Sequence, residues 1–192
     1  MVRAGPATGR EIAGMLRAAL AALALLGLSS PPAPTAFAPA EAPQEMRPAL
    51  QRAAEAIRSA ACDVERRFGE GDPDANAAAC ESAAPVPEAK VGRTSARLRN
   101  PANAPPAWAA PYVAATDGRK AADVAPRAFD LGDKVGLLRP VEIRKRCLHC
   151  HDAREKLSEG TRAWLSRSYP QDRAVGYALG DLRGFWWAEV AR

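Results

Sequence analysis

The chain has 192 residues, a formal net charge of +5 and four cysteines, and both histidines lie inside one five-residue segment. This length suits one modest domain with a short extension. The basic residues are interleaved with acidic ones, a pattern typical of a solvated surface rather than of a nucleic-acid partner. Because no histidine lies elsewhere, a histidine-based catalytic triad is excluded, and we expect no enzyme.

Residues 1–40 predict a secretory signal. Three arginines precede an apolar run at residues 18–28, and small residues lead to Ala40. This order is typical of a signal peptide, and the run is shorter than the roughly 20 residues that a membrane helix needs. The alternatives are a short buried helix or an uncleaved anchor. We expect cleavage after Ala40, a single mature domain at residues 41–192, a periplasmic or secreted location and no membrane-spanning helix.

A long N-terminal helix is predicted next. Apolar residues recur at spacings of four and three, which gives one amphipathic stripe. The stripe consists of Leu50, Ala54, Ile57, Ala61, Val64 and Phe68. Such a stripe serves either a homodimer or the chain's own core, and we favour the core because large apolar residues are few. Cys62 lies on the flank of the stripe.

The rest of the chain predicts three strands and two helices around a proline-rich loop. Prolines 101, 105 and 106 restrict the backbone, and the last two suit the start of a short helix. The strands are expected at residues 93–98, 135–141 and 182–190, and the helices at the segment that carries Trp108 and Tyr112 and at residues 155–167.

Residues 147–151 read Cys-Leu-His-Cys-His, the C-x-x-C-H spacing of covalent haem attachment. Two thiols at this spacing reach the two vinyl groups on one porphyrin edge, and the adjacent histidine turns under the ring to ligate iron. Attachment takes place outside the cytoplasm, which agrees with the signal. We therefore predict one covalent haem c on Cys147 and Cys150, with His151 on iron. His149 points away from the iron.

Other uses of this segment are less favoured. A thioredoxin-like dithiol normally opens a helix within a βαβ unit, which the upstream sequence does not predict, so a thiol–disulfide oxidoreductase is the weakest alternative. A zinc site needs a second ligand cluster, and a disulfide across two residues is strained.

The spacing of residues in the sequence does not identify the second axial ligand of the iron. No second histidine can serve, so the soft donors of the mature chain are Met46, Cys62 and Cys80, and a vacant site is a further alternative. In segment 73–84, Cys80 shares a helical face with two alanines, which favours an inward position. A disulfide between Cys62 and Cys80 is equally supported, because an oxidising compartment permits it.

Several segments, taken together and in order, resemble a family of single-haem c-type domains with a PAS-like fold. The segments are residues 91–95 (VGRTS), 99–105 (RNPANAP), Trp108, 147–151 (CLHCH), 169–170 (YP) and 176–184 (GYALGDLRG). Members of the family include small exported proteins, one type of them associated with photosystem preparations, and sensor modules of signalling proteins. The resemblance covers roughly residues 45–190.

The resemblance implies an α+β fold, with a PAS-like antiparallel sheet flanked by helices and haem in its pocket. It also implies axial ligation by His151 and by the thiolate of Cys80, which sits at the matching place upstream of residues 91–95. Two features depart from the family pattern: Asp152 stands where glycine usually follows the motif, and Cys62 is an additional thiol.

Three arginines are candidates for binding the haem propionates, because guanidinium groups match carboxylates in shape and charge. They are Arg93, Arg99 and Arg183. The alternative, which we slightly favour, is that they fix loops by bonding backbone carbonyls.

The predicted function is an exported monohaem cytochrome. Histidine and thiolate ligation favours ferric iron and a low reduction potential, since the axial ligands are a main determinant of potential. One-electron transfer or redox sensing with an unidentified redox partner protein follows. The alternative is a diatomic-gas or redox sensor that acts through a separate protein.

Overall fold

The computed structural model of the protein describes residues 33–67 and 85–192. Residues 34–192 belong to one unit of the chain. The apolar run of the predicted signal and the segment that carries Cys80 lie outside the described residues. Within the described ranges, no helix combines the length and apolar character that a membrane crossing requires.

Five strands form one antiparallel sheet in the order β1-β3-β4-β5-β2. Their bounds are β1 Ala36–Phe37, β2 Ala89–Thr94, β3 Arg127–Asp130, β4 Lys134–Glu142 and β5 Leu182–Ala191. The two longest strands, β4 and β5, pair through the centre. The predicted strands at residues 135–141 and 182–190 are therefore confirmed, and the fold is α+β with an antiparallel sheet.

Four α-helices are described. Their bounds are α1 Arg47–Arg67, α2 Ala110–Ala115, α3 Leu148–His151 and α4 Glu159–Ser168. Single turns of 3-10 helix lie at Pro39–Glu41, Gln44–Met46, Pro101–Asn103, Ala121–Asp123, Lys145–Cys147 and Arg154–Lys156.

Helix α1 covers one face of the sheet. Its buried residues include Ala53, Ile57 and Ala60, which pack with Leu137 and Trp186 of the sheet. Small alanine side chains let the helix backbone approach the sheet closely without leaving voids. Of the predicted amphipathic stripe, Leu50, Ile57 and Val64 are buried in this core and Ala54 and Ala61 pack against it, while Phe68 lies outside the described residues.

The opposite face of the sheet holds a second, aromatic core. Residues alternate along β5, so that Trp186 faces α1 while Phe185 and Trp187 face the other way. Trp108 belongs to this second core, where its indole nitrogen donates to Glu189 at 2.9 Å.

The strand predicted at residues 93–98 begins earlier and ends earlier in the structure, at Ala89–Thr94. The chain bends away after Thr94, where the hydroxyl of Ser95 accepts a hydrogen bond from the backbone of Arg97 at 3.1 Å. A side-chain bond of this kind competes with pairing in a sheet.

The helix predicted at residues 155–167 is two elements, a 3-10 turn at Arg154–Lys156 and α4 from Glu159. Ser158 separates them, because its hydroxyl caps α4 by accepting from the backbone of Thr161 at 3.1 Å. The short helix predicted to carry Trp108 and Tyr112 begins only at Ala110, so Trp108 lies in the preceding turn.

Strand β1 lies upstream of the predicted cleavage position. Its two residues pair with β3, and the backbone of Asp130 donates to the carbonyl of Thr35 at 3.0 Å. Cleavage after Ala40 would remove this short edge strand and leave the four longer strands in place.

Gly184 lies in β5, where the chain passes close to Thr94 and Ser95. A Cβ atom at this position would collide with the carbonyl of Thr94, and the backbone φ is 148°, a conformation that favours glycine. We expect Gly184→Ala to lower the free energy of unfolding by on the order of 3 kcal/mol, through overpacking and backbone strain.

Urea unfolding monitored by circular dichroism measures this loss. Gly160→Ala is the matched control, because Gly160 lies in α4 with nothing within 4 Å of the added Cβ. Equal unfolding midpoints for the two variants would contradict the expected crowding at Gly184.

Candidate functional site

The C-x-x-C-H segment follows the end of β4 and is anchored there by Ile143. The backbone of this buried residue donates to Asp181 at 2.9 Å and accepts from Gly180 at 3.0 Å. A 3-10 turn at Lys145–Cys147 and helix α3 come directly afterwards. The sequence motif is therefore held as continuous helical turns against the start of β5.

The helical turns set the directions of the motif's side chains. Residues three and four apart share one helical face, so Cys150 and His151 lie on the same side as Cys147. Both cysteines are half-buried, while His149 is exposed. The position of His149 agrees with the prediction that it points away from the site.

The ring of His151 has its two nitrogens in different environments. Nδ1 lies 2.6 Å from the carbonyl oxygen of Ala174, so Nδ1 carries the proton and donates it. Nε2 is then the acceptor nitrogen, and Nε of Arg183 donates to it at 3.5 Å. A backbone carbonyl on one nitrogen and a lone pair on the other is the arrangement typical of a metal-bound histidine.

Burial keeps the pKa of His151 well below its usual 6.5, and the nearby charges of Arg183 and Arg99 lower it further. The hydrogen bond to Ala174 acts in the opposite direction but is outweighed. The imidazole is therefore neutral at pH 7, as metal ligation requires.

His151 lines a small cavity of about 60 Å³, as does Arg183, which contacts Nε2, whereas Ala174, which binds Nδ1, does not line it. Its walls combine cationic, polar and apolar side chains, contributed by Arg93, Thr94, Ser95, Leu98, Arg99, Asn100, Asn103, Val141, His151, Arg183, Gly184 and Phe185. The hydroxyl of Thr94 is buried and has no hydrogen-bond partner among the described residues. A buried polar atom of this kind indicates room for a polar group that the polypeptide does not supply.

A larger cleft of about 640 Å³ adjoins the cavity, and Arg93 and Val141 line both. The described walls of the cleft include Cys147, Cys62 and Trp186. Its volume falls within the roughly 300–1,000 Å³ that is usual for small-molecule and cofactor sites. One thiol of the motif thus faces a cleft of cofactor size, and the motif histidine faces the cavity beside it.

The three candidate arginines all line the small cavity, in different ways. Arg99 donates to the carboxylate of Asp172 at 3.1 Å and to the carbonyl of Cys150 at 2.5 Å. Arg183 donates to the carbonyl of Arg97 at 3.3 Å. Arg93 stacks over the ring of Trp186 at 5.1 Å. Arg99 and Arg183 therefore have the carbonyl contacts of loop-fixing residues.

Arg183 is a half-buried cation next to Nε2 of His151. Burial lowers its pKa to about 10, and the charges of Arg93 and Arg99 act in the same direction. The guanidinium stays charged at neutral pH, and a buried charge is costly without an anionic partner.

The other candidate iron ligands lie in different parts of the chain. Met46 is buried in the core under α1 and belongs to that cluster rather than to the cavity. Cys62 is exposed on α1 at the wall of the larger cleft. Cys80 lies outside the described residues, so neither its ligation nor its disulfide with Cys62 is tested. Within residues 33–67 and 85–192, no three His, Cys, Asp or Glu side chains cluster as a metal site.

Asp172 and Thr94 are site residues that the sequence did not single out. The side chain of Asp172 is completely buried, next to the turn that carries Ala174. The sequence does not indicate this burial, because an aspartate between Gln171 and Arg173 is typical of the protein surface. Thr94 stands in a segment that was noted, but its unpartnered hydroxyl appears only in three dimensions.

The fold and the site define an α+β domain in which a half-buried histidine, with Nδ1 bonded to a backbone carbonyl, lies beside a cleft of cofactor size. Residues 40–190 match the Tll0287-like family (Tll0287), and the chain belongs to this family. Among solved structures, the crystal structure of the cyanobacterial haem protein Tll0287 is similar, with a TM-score of 0.50 and 21% identity. The match covers 79% of this chain and 98% of that one. No curated protein matches the chain.

The neutral state of His151 predicts a pH dependence of stability. Its pKa is lowered in the folded chain, so between pH 6.5 and 5.5 the unfolded state binds more protons and stability falls with falling pH. One such group contributes at most about 1.4 kcal/mol per pH unit. We expect this slope in urea unfolding of the chain made without haem.

The comparison of two variants isolates this contribution. His151→Asn should lose that part of the slope, and His149→Asn should keep it. Identical slopes for the two variants would contradict a lowered pKa of His151 in the folded chain.

Proposed function

We propose that the protein is an exported c-type cytochrome with one haem, bonded to Cys147 and Cys150 and held on iron by His151. The observation that carries this proposal is the half-buried imidazole of His151, whose Nδ1 donates to the carbonyl of Ala174 and whose ring lines the cavity, with a lowered pKa that keeps it neutral at pH 7. Membership in the family of a known haem protein supports the same cofactor.

The residues present fit such a cofactor. Cys147 lines a cleft of suitable volume with Trp186 as an apolar wall, and the unpartnered hydroxyl of Thr94 lies beside His151. Bound there, haem supplies one-electron cycling of its iron between the ferric and ferrous states. The chain's own residues orient His151 through the Ala174 carbonyl, and Cys147 and Cys150 would hold the cofactor by two thioether bonds.

Two of the three arginines suit the haem propionates under this proposal. Arg183 is a half-buried cation beside Nε2, and Arg93 lines both the cavity and the cleft. Guanidinium groups bind carboxylates well, and a propionate would offset the cost of burying Arg183. Arg99 already binds the carboxylate of Asp172, which supports its loop-fixing alternative.

Within this proposal the second axial ligand is the thiolate of Cys80, as the family resemblance implies. If His151 and Cys80 both held the iron, it would have no open position for a substrate, so we propose no catalytic reaction. A thiolate ligand lowers the reduction potential. The function is then low-potential electron transfer or redox sensing with a partner protein in the periplasm. The fold that carries the haem in this proposal is a PAS-like sheet.

Covalent attachment is tested by exporting the protein from a host that matures cytochromes c. We expect a haem-stained band that survives a denaturing gel, lost in Cys147→Ser/Cys150→Ser and kept in the matched Cys62→Ser. A colourless wild type would contradict the proposal and favour the thiol–disulfide alternative. A spectral change on adding carbon monoxide to the reduced protein would instead favour the gas-sensor alternative.

The axial role of Cys80 predicts different effects for two cysteine substitutions. Cys80→Ala should change the ferric absorption spectrum and raise the midpoint potential, because a thiolate that stabilises ferric iron is lost, while the haem stays attached. Cys62→Ala should change neither. Similar behaviour of the two variants in redox titrations would favour a disulfide between them.

Cleavage after Ala40 gives the exported protein a defined N-terminus. We expect mass spectrometry of the intact exported chain to place its first residue at Glu41, with β1 removed. A mass that includes Ala36 and Phe37 would contradict this cleavage position. The same sample must carry the mass of one haem.

A further inference from the structure

Asp172 is a completely buried carboxylate close to the site, with both oxygens engaged. One oxygen accepts from Nε of Arg99 at 3.1 Å, and the other accepts from the backbone of Ala174 at 2.8 Å. A buried carboxylate is tolerated when it is paired and hydrogen-bonded. Asp172 therefore fixes both the direction of Arg99 and the turn that carries the Ala174 carbonyl.

Arg99 extends this arrangement to the motif. Its Nη2 donates to the carbonyl of Cys150 at 2.5 Å and to that of Ala174 at 3.3 Å, and it lies 3.4 Å from Nδ1 of His151. The Ala174 carbonyl thus accepts from Arg99 and from His151 together. The carboxylate of Asp172 and the imidazole of His151 are joined through one guanidinium and one carbonyl.

Backbone bonds hold the same region on its other side. The backbone of Tyr177 donates to the carbonyl of His151 at 2.9 Å, and that of Gly176 donates to Asp152 at 3.0 Å. The backbone of Arg173 donates to Leu98, next to Arg99, at 2.9 Å. The segment at residues 172–177 therefore joins the chain around Arg99 to the end of α3.

We propose that Asp172 and Arg99 are positioning residues for His151, which set the plane of its imidazole through the Ala174 carbonyl. The inference rests on the proposed function, because it concerns His151 as an iron ligand. Groups that bind the second nitrogen of a ligating histidine orient its ring and tune the metal. Asp172 also offsets the charge of Arg99, so the pair influences the iron electrostatically as well as sterically.

Asp152 offers a matched control. It is the acid next to His151 in sequence, but its carboxylate accepts from the backbone of Ala153 at 2.7 Å and pairs with Lys156 at 3.8 Å. Asp152→Asn removes the same charge, close to the motif, and leaves the bonds between Asp172, Arg99 and Ala174 intact.

The experiment compares exported, haem-loaded wild type, Asp172→Asn, Arg99→Gln and Asp152→Asn by ferric electron paramagnetic resonance and redox titration. We expect Asp172→Asn and Arg99→Gln to change the low-spin g values in the same way, since Arg99→Gln removes a donor to the Ala174 carbonyl and Asp172→Asn weakens the ion pair that holds this donor in place. Their midpoint potentials should shift in opposite directions, upward for the lost negative charge and downward for the lost positive one. Asp152→Asn should keep the wild-type g values.

Asp172→Asn keeps an oxygen acceptor for the Ala174 backbone and is the milder substitution. Asp172→Ala, which removes both bonds, should broaden the resonance further. Wild-type g values in both Asp172→Asn and Arg99→Gln, with haem attached, would overturn the inference alone. A wild type that carries no covalent haem would overturn the proposed function and the inference with it.

Discussion

The hydrogen bond between Nδ1 of His151 and the carbonyl of Ala174, 2.6 Å long, decides which ring nitrogen is available to a metal. It places the proton on Nδ1 and turns the lone pair of Nε2 to the cavity. Burial keeps the ring neutral, so the lone pair persists at neutral pH. The chemistry that we propose depends on this one contact, because a ring with its nitrogens exchanged would offer a proton where iron needs a donor.

The remainder of the fold holds the two ends of that bond. The sheet anchors the motif through Ile143 at the end of β4, while α1 and its alanine stripe support the sheet from one face. The Ala174 end is held by Asp172 and Arg99, which lie far apart in sequence and meet beside the cavity. Local helical spacing presents the cysteines and the histidine together, and long-range contacts then fix the orientation of the ring.

Much of this architecture can be predicted from the sequence, because it depends on local patterns of residues. The stripe on α1, the two central strands and the exposed position of His149 follow from periodicity and spacing. The sequence does not predict the end of β2 or the start of α4 correctly. A single side-chain hydrogen bond sets each boundary, to the hydroxyl of Ser95 and to that of Ser158. Asp172 is missed because its burial arises from contacts with residues distant in sequence, which periodicity does not report.

The most direct test of the account is the position of iron relative to His151. Diffraction from crystals of the exported protein at the iron absorption edge gives that position independently of any assumed cofactor geometry. The account predicts one anomalous peak within bonding distance of Nε2, with Nδ1 still hydrogen-bonded to Ala174. A peak away from His151, a bond from Nδ1 to iron, or no iron in protein matured for haem attachment would contradict it.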